Sequence, residues 1–440
     1  MDVTRRNFLL STTAAAAGAT LTAKPAGTSG ETPTRVAQAS AHPAARGFNA
    51  ADPALKFDLV IAGGDVLDPS QTLRGKRDIG IKFGQIAAIA PSLPADRAAQ
   101  RIDAAGRLVT PGLVDLHTHL VPHLGIGLPA DELVPITAVT TAVSAGDAGW
   151  QTFGALRHYA MPQSRTRIFA FVHIASIGLA GGIAPGEMLN IDYANVDGCA
   201  KAVVENADVV LGVKVRITDS VVGQNGLEPL RRALRAAEMA GKQVPVMCHI
   251  GAAPGSLSDL LDLLRPGDIL THTYSGAGNN TVQNGRLLPA ARAAKQRGVI
   301  FDVGHGGGSF DYTVCEPALQ QGAPPDTISS DIHAVSINTP GYPTLPNVMS
   351  KFLNLGLTLE DVVAKATVEP AKVIGRVPGL GTLQVGAPAD VAIFDLVDGP
   401  VEFVDTRNNK RTGNRKLVPV LTVRGGRPFG RPPMPFPFTY

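Results

Sequence analysis

The stretch Pro111-Gly112-Leu113-Val114-Asp115-Leu116-His117-Thr118-His119 decides how this chain is read. An apolar run ends in two histidines one residue apart. In an extended strand such residues face the same side, so both imidazoles can reach one metal ion. Taken alone, an H-x-H pair also fits two surface or core histidines. Further along, Lys214 closes an apolar run at 209–215, His249 follows one at 244–248, His272 ends one at 268–271, and Asp331 follows one at 327–330. Five ligand-bearing strands in order argue for one site at the C-terminal ends of parallel strands, where barrel enzymes keep their chemistry. Lysine is rarely buried unpaired, so Lys214 demands a partner or a modification, unless it snorkels at a strand end. A carbamate formed with carbon dioxide would make it an anion able to bridge two metal ions.

Working outward, further apolar runs stand at 140–144, 168–172 and 299–303, which with the opening run at 112–116 and the four above give eight in all. Helical stretches at 227–240, 256–264 and 288–297 fall between them. That alternation predicts an α/β domain of (β/α)8 TIM-barrel type over 111–375. Short strands at 57–62, 78–82 and 86–89, with turns at Gly63-Gly64 and Phe83-Gly84-Gln85, reappear in kind at 389–395 and 418–423. Segments 55–110 and 376–426 are therefore expected to form a small β-sandwich domain that brackets the barrel. Residues 40–54 read as a linker, and the Pro-rich 427–440 as an extended C-terminal tail.

A chain of 440 residues suits one large and one small domain, and 44% hydrophobic with 18% charged residues is an ordinary globular balance. The net charge of +3 is spread along the sequence, and its one basic cluster, 407–416, lacks interleaved aromatics, which excludes nucleic acid as a partner. Cys199, Cys248 and Cys315 form no CxxC and read as small buried apolar residues. His123, His158 and His173 read as packing or surface histidines. Residues 1–39 carry Arg5-Arg6-Asn7-Phe8-Leu9-Leu10, then an alanine-rich apolar stretch to about Leu21, then A-x-A sites at Ala37-Gln38-Ala39 and Ala39-Ser40-Ala41. This order is that of an export signal resembling the twin-arginine type, and it is too short for a stable membrane anchor. The expected partner is the twin-arginine export machinery, and the expected location periplasmic or secreted. A folded-export route suits a protein whose metal site must be assembled before it leaves the cytoplasm.

The motif at 111–119, with Lys214, His249, His272 and Asp331 in order, resembles the amidohydrolase superfamily of binuclear metal enzymes. Gly381-Thr382-Leu383 and Ala389-Asp390-Val391 look like its re-entry into the small domain. Val213-Lys214-Val215-Arg216, His249-Ile250-Gly251, Gly304-His305-Gly306 and Ser330-Asp331-Ile332-His333 look most like its amidohydrolase/deacetylase branch near dihydroorotase. The resemblance implies two divalent metal ions, zinc by ligand type, held by His117, His119, His249, His272 and Asp331 and bridged by carbamylated Lys214. It also implies that Asp331 is catalytic, taking a proton from the attacking water and passing it to the leaving group. Arg216, Tyr274, His305 and His333 are the implied substrate contacts. Arg216 faces the side of Lys214 and could hold a substrate carboxylate or pair with a loop acid. The glycine-rich 304–309 loop reads as substrate-facing backbone.

The implied activity is hydrolysis of an amide or ester, a deacetylase or amidase acting on a small acylated carboxylate. A cyclic amidohydrolase of dihydroorotase or hydantoinase type is the first alternative. A mononuclear deaminase is the second, although the glutamate such enzymes carry after the strand-five histidine is replaced here by Ile250-Gly251-Ala252. A non-catalytic barrel scaffold is the third, and retention of all six ligands speaks against it. Such relatives commonly assemble, so a homo-oligomer is also expected.

Overall fold

The structure, a computed structural model, describes residues 52, 54–122, 124–180 and 186–429. The export signal at 1–39, most of the 40–54 linker, His123 and the tail from 430 lie outside the described residues.

Seven parallel strands form one sheet in chain order: Leu113–Thr118, Val139–Gly149, Arg167–His173, Val210–Ile217, Val246–Ile250, Ile269–Thr271 and Ile300–Asp302. The first three are buried along their whole length, as expected of parallel strands covered on both faces, and this is why they read as continuous apolar runs. The helix Glu228–Ala240 shows how the intervening elements dock. It opens with Pro229 in its first turn, stops at Gly241, and buries Leu230, Ala233, Leu234 and Ala237 in one stripe at helical spacing.

The eighth predicted strand differs from expectation. Segment 327–332 closes the barrel through scattered bonds rather than a ladder. Thr327 bridges Asp302 and Ile332 bridges Thr118, while Asp331 donates its N–H to the His117 carbonyl at 2.7 Å. Two features interrupt the extended backbone. The hydroxyls of Thr327 and Ser329 turn onto the buried Asp302 carboxylate at 2.6 and 2.7 Å, and Asp331 itself adopts φ 50°.

Strands from both ends of the chain make one mixed sheet. Its order is Arg427–Pro428, Lys410–Arg424, Val391–Val404, Leu108–Pro111, Leu59–Asp68, Leu73–Lys82 and Gln85–Ala90, with Arg101–Asp103 beside Leu59–Asp68. Alternation in the first strand serves two apolar clusters: Leu59 and Ile61 pack with Val391 and Ile393, while Val60 and Ala62 pack with Phe57. Leu108–Pro111 runs almost directly into the first barrel strand, so this sheet anchors the H-x-H segment. Among the described residues no helix is long and apolar enough to cross a membrane.

A buried ion pair clamps barrel to sheet. Arg167, at the start of the third barrel strand, donates to Asp390 at 2.7 Å and to the Thr141 hydroxyl at 2.6 Å, and Asp390 also accepts the Gly425 N–H at 2.8 Å. Breaking such a pair strands one charge in the interior, at about 3–5 kcal/mol, whereas an apolar replacement of both members is close to neutral. Arg167→Met is therefore expected to lower the urea midpoint markedly and Arg167→Met/Asp390→Leu to recover most of it. Equal midpoints for the single variant and the wild type would remove the clamp.

Candidate metal centre

The first barrel strand delivers His117 and His119 to its C-terminal end, and the closing segment delivers Asp331 opposite them. One ligand atom from each lies within 4.8 Å of the others. Asp331 Oδ1 stands 3.3 Å from His117 Nε2 and 3.0 Å from His119 Nε2. Lys214 Nζ is 3.1 Å from His117 Nε2. The fifth and sixth strands contribute His249 and His272, whose rings meet edge to face at 4.2 Å between centroids. All six candidate ligands thus converge on one end of the barrel. His272 and Asp331 both hold positive φ, 65° and 50°, a conformation that side-chain-bearing residues adopt at some energetic cost and that clusters at functional sites.

Hydrogen bonds fix which ring nitrogen is available. The Thr271 hydroxyl donates to Asp302 at 2.8 Å, so at 2.7 Å it accepts the Nδ1–H of His117. Asp147 accepts the Nδ1–H of His119 at 2.5 Å while its other oxygen receives Ser144 and the Leu120 N–H. The Gly304 carbonyl accepts the Nδ1–H of His272 at 2.6 Å, and His272 Nε2 is buried with no hydrogen-bond partner among the described residues. With the Nδ1 protons turned outward, the inward Nε2 atoms of His117 and His119 face the Asp331 carboxylate, an arrangement that calls for positive charge between them, either a proton on His119 or a metal cation. This donor set of imidazoles and carboxylate fits a divalent metal of zinc, manganese, iron or cobalt type.

The electrostatics express the same need. Burial would push Asp331 up, yet the neighbouring His117 and the bond from His119 hold it well below the usual carboxylate range. Burial depresses His119, but Asp147 and Asp331 outweigh it and raise the ring to about 9. His272 is pushed down to about 4, chiefly by burial. Lys214, fully buried, is brought down to about 8 by burial against the pull of Asp331, which leaves it more free amine than an ordinary lysine has.

A cavity of about 330 Å³ opens over the centre, lined by His119, Lys214, Arg216, His249, Asp331 and His333 and walled by Ile126, Leu179, Val335 and the glycine-rich loop. Of the four predicted substrate contacts, Arg216 and His333 line it. Arg216 also pairs with Glu187 at 3.2 Å, so the two readings of this residue coexist. The Ser336 N–H donates to His333 Nδ1, which places the ring proton on Nε2.

Tyr274 and His305 stand elsewhere. Tyr274 is fully buried in the main core, donates its hydroxyl to the Ala323 carbonyl at 2.9 Å and packs on Phe352. Strand six ends in a turn at His272, and two residues later the chain faces outward. His305 lies behind the loop, stacked on Phe310, with both ring nitrogens engaged. His158 is exposed, whereas His173 is buried beside Lys214, pairs with it in register and lies 3.5 Å from Glu187. Asp147, Thr271 and Glu187 escaped the sequence reading. Asp147 alone left a trace there, as an acid shortly after an apolar run that carries no ligand.

A model of the amidohydrolase family matches residues 108–428 of this chain. A deacetylase of Agrobacterium fabrum is 36% identical over 345 residues, covering 78% of this chain and 84% of that protein. A solved dihydroorotase aligns with a TM-score of 0.77 at 33% identity over 84% of this chain and 98% of its own. A solved adenine deaminase aligns with a TM-score of 0.77 at 29% identity over 85% and 100%.

Proposed function

The chain belongs to the amidohydrolase family, and from that premise we propose that it is a metal-dependent deacetylase removing an N- or O-acyl group from a small carboxylate. The observation that carries this reading is the presence of Arg216 and Asp331 in one cavity with Lys214. His117, His119, His249, His272, Asp331 and carbamylated Lys214 would hold two divalent ions. Such ions supply an activated water at neutral pH and polarise the scissile carbonyl. Asp331 takes the proton of the attacking water and hands it to the leaving amine or alkoxide. Arg216 holds the substrate carboxylate through the donors that Glu187 leaves free. The neutral His333 donates from Nε2 toward the acyl oxygen. The wall of Ile126, Leu179 and Val335 limits water on the open side. The twin-arginine-like segment at 1–39 supports a working place outside the cytoplasm.

The reading is tested by offering the metal-loaded protein N-acetyl-D-amino acids, acetylated hydroxy acids, dihydroorotate and hydantoins. Turnover of acylated carboxylates is expected, and turnover of the cyclic compounds alone would contradict it. Arg216→Met is expected to raise KM about 10- to 100-fold for carboxylate substrates with a smaller effect on kcat, since a charge-assisted hydrogen bond to the carboxylate is lost. An unchanged KM would take Arg216 out of substrate binding. The likeness to an adenine deaminase favours a second reading, so adenine belongs in the same screen, with ammonia release as its signature.

A further inference from the structure

Lys214 and Lys351 are each 1% exposed. The metal centre gives Lys214 its use, and nothing in that centre touches Lys351. It sits on the helix Leu345–Asn354 and spends its three donors on His305 Nε2 at 2.7 Å, the Gly341 carbonyl at 2.8 Å and the Val404 carbonyl at 2.7 Å. An apolar side chain would fill this place without the desolvation that a buried ammonium suffers, so packing alone does not account for a lysine.

The three acceptors belong to separate segments that meet behind the cavity wall. Because Lys351 donates to Nε2, His305 carries its proton on Nδ1 and donates it to the Gly306 carbonyl at 2.9 Å. Its ring stacks on Phe310 at 4.8 Å between centroids. Phe310 is gripped in turn by the tip of the hairpin between Val391–Val404 and Lys410–Arg424. The Thr406 N–H and hydroxyl both donate to the Phe310 carbonyl, at 3.0 and 2.7 Å, and the hydroxyl accepts the Phe310 N–H at 3.1 Å. Asp405 accepts the Tyr312 N–H at 2.9 Å. Between these two holds run Gly306 and the cavity-lining Gly307 and Gly308. Gly306, at φ 52°, lies so close to the Asp331 carboxylate that a Cβ there would collide with Oδ2, and its N–H donates to the Ser330 carbonyl at 2.9 Å.

We propose that Lys351 is a positioning residue for the reaction: together with the hairpin tip at 404–406 it fixes, through His305 and Phe310, the glycine wall that stands against Asp331. The proposal rests on the reading of Asp331 as the proton carrier.

The test uses full-length, metal-loaded protein carrying Lys351→Met, Thr406→Val or both. Three quantities are read: metal per chain, hydrogen exchange of the 304–312 segment, and kcat and KM on a substrate from the screen. Lys351→Met is expected to speed exchange at 304–312 and lower kcat about 10- to 100-fold at unchanged metal content, as loss of a supporting partner does in metal sites. Thr406→Val is expected to act in the same direction to a smaller extent. The double variant should fall short of the product of the two, because both act through one segment. Wild-type exchange and kcat in both single variants would overturn the proposal, as would a metal loss that accounts for the whole fall in activity. Should Lys351→Met fail to fold, Thr406→Val decides by the same criteria. Hydrogen exchange needs no substrate, so a failed screen and a failed brace give different results.

Discussion

Asp331→Asn is expected to lower kcat about 100- to 10,000-fold with little change in KM, the range that a positioned general base supplies. The carboxylate is placed by its backbone as much as by its partners. The Asp331 N–H is bonded to the His117 carbonyl, φ is 50°, and the Ser336 hydroxyl donates to the Asp331 carbonyl at 3.1 Å. An amide of the same shape keeps these bonds and still offers one oxygen toward His117 and His119. It cannot take a proton. Burial alone would protonate a carboxyl here, and the two histidines hold it ionised, the state from which the proposed proton transfer starts. Metal analysis accompanies the kinetics, and a kcat within about tenfold of wild type at equal metal content would remove Asp331 from proton transfer.

Under the proposed two-ion reading, Lys214→Ala is expected to lower metal content per chain and to reduce activity about 100- to 1,000-fold, the scale on which loss of one charge at the reacting centre is felt. The lysine lies in the fourth strand, fully buried, 3.1 Å from His117 Nε2. An unmodified ammonium there would face metal ions with like charge, and a carbamate reverses the sign. The alanine variant vacates the stem's volume, so a short carboxylic acid such as propionate, added in solution, should restore part of the activity. Lys214→Met fills that volume and should not respond. Wild-type metal content and rate in Lys214→Ala would sink the bridging role.

The barrel and its six candidate ligands were legible because each ligand follows an apolar run, and a strand buried on both faces has few other reasons to end in histidine, lysine or aspartate. Supporting groups were not legible, because their roles depend on approach across the barrel. Thr271 adjoins His272 in sequence yet serves His117, and Asp147 serves a histidine 28 residues earlier. Tyr274 and His305 misled for the matching reason: nearness in sequence to the end of a barrel strand says nothing about direction once the strand has ended. Lys351 was hidden in an amphipathic helix, Leu345–Asn354, where a lysine ordinarily marks the wet face. The segment at 327–330 has strand-like composition, but its hydroxyls answer to Asp302 rather than to a ladder.

The pairing of Leu108–Pro111 between Leu59–Asp68 and Val391–Val404 also sets a timetable for synthesis. A nascent chain halted after Ile374 already possesses every barrel strand and all six candidate ligands. It lacks the neighbour that flanks the stem of the H-x-H segment, the Asp390 carboxylate that Arg167 requires, and the Val404 carbonyl and Thr406 that steady the glycine wall. The ribosome must deliver residues 389–424 before these contacts can form, so under the proposed reading a metal would meet the finished site only after synthesis of that segment.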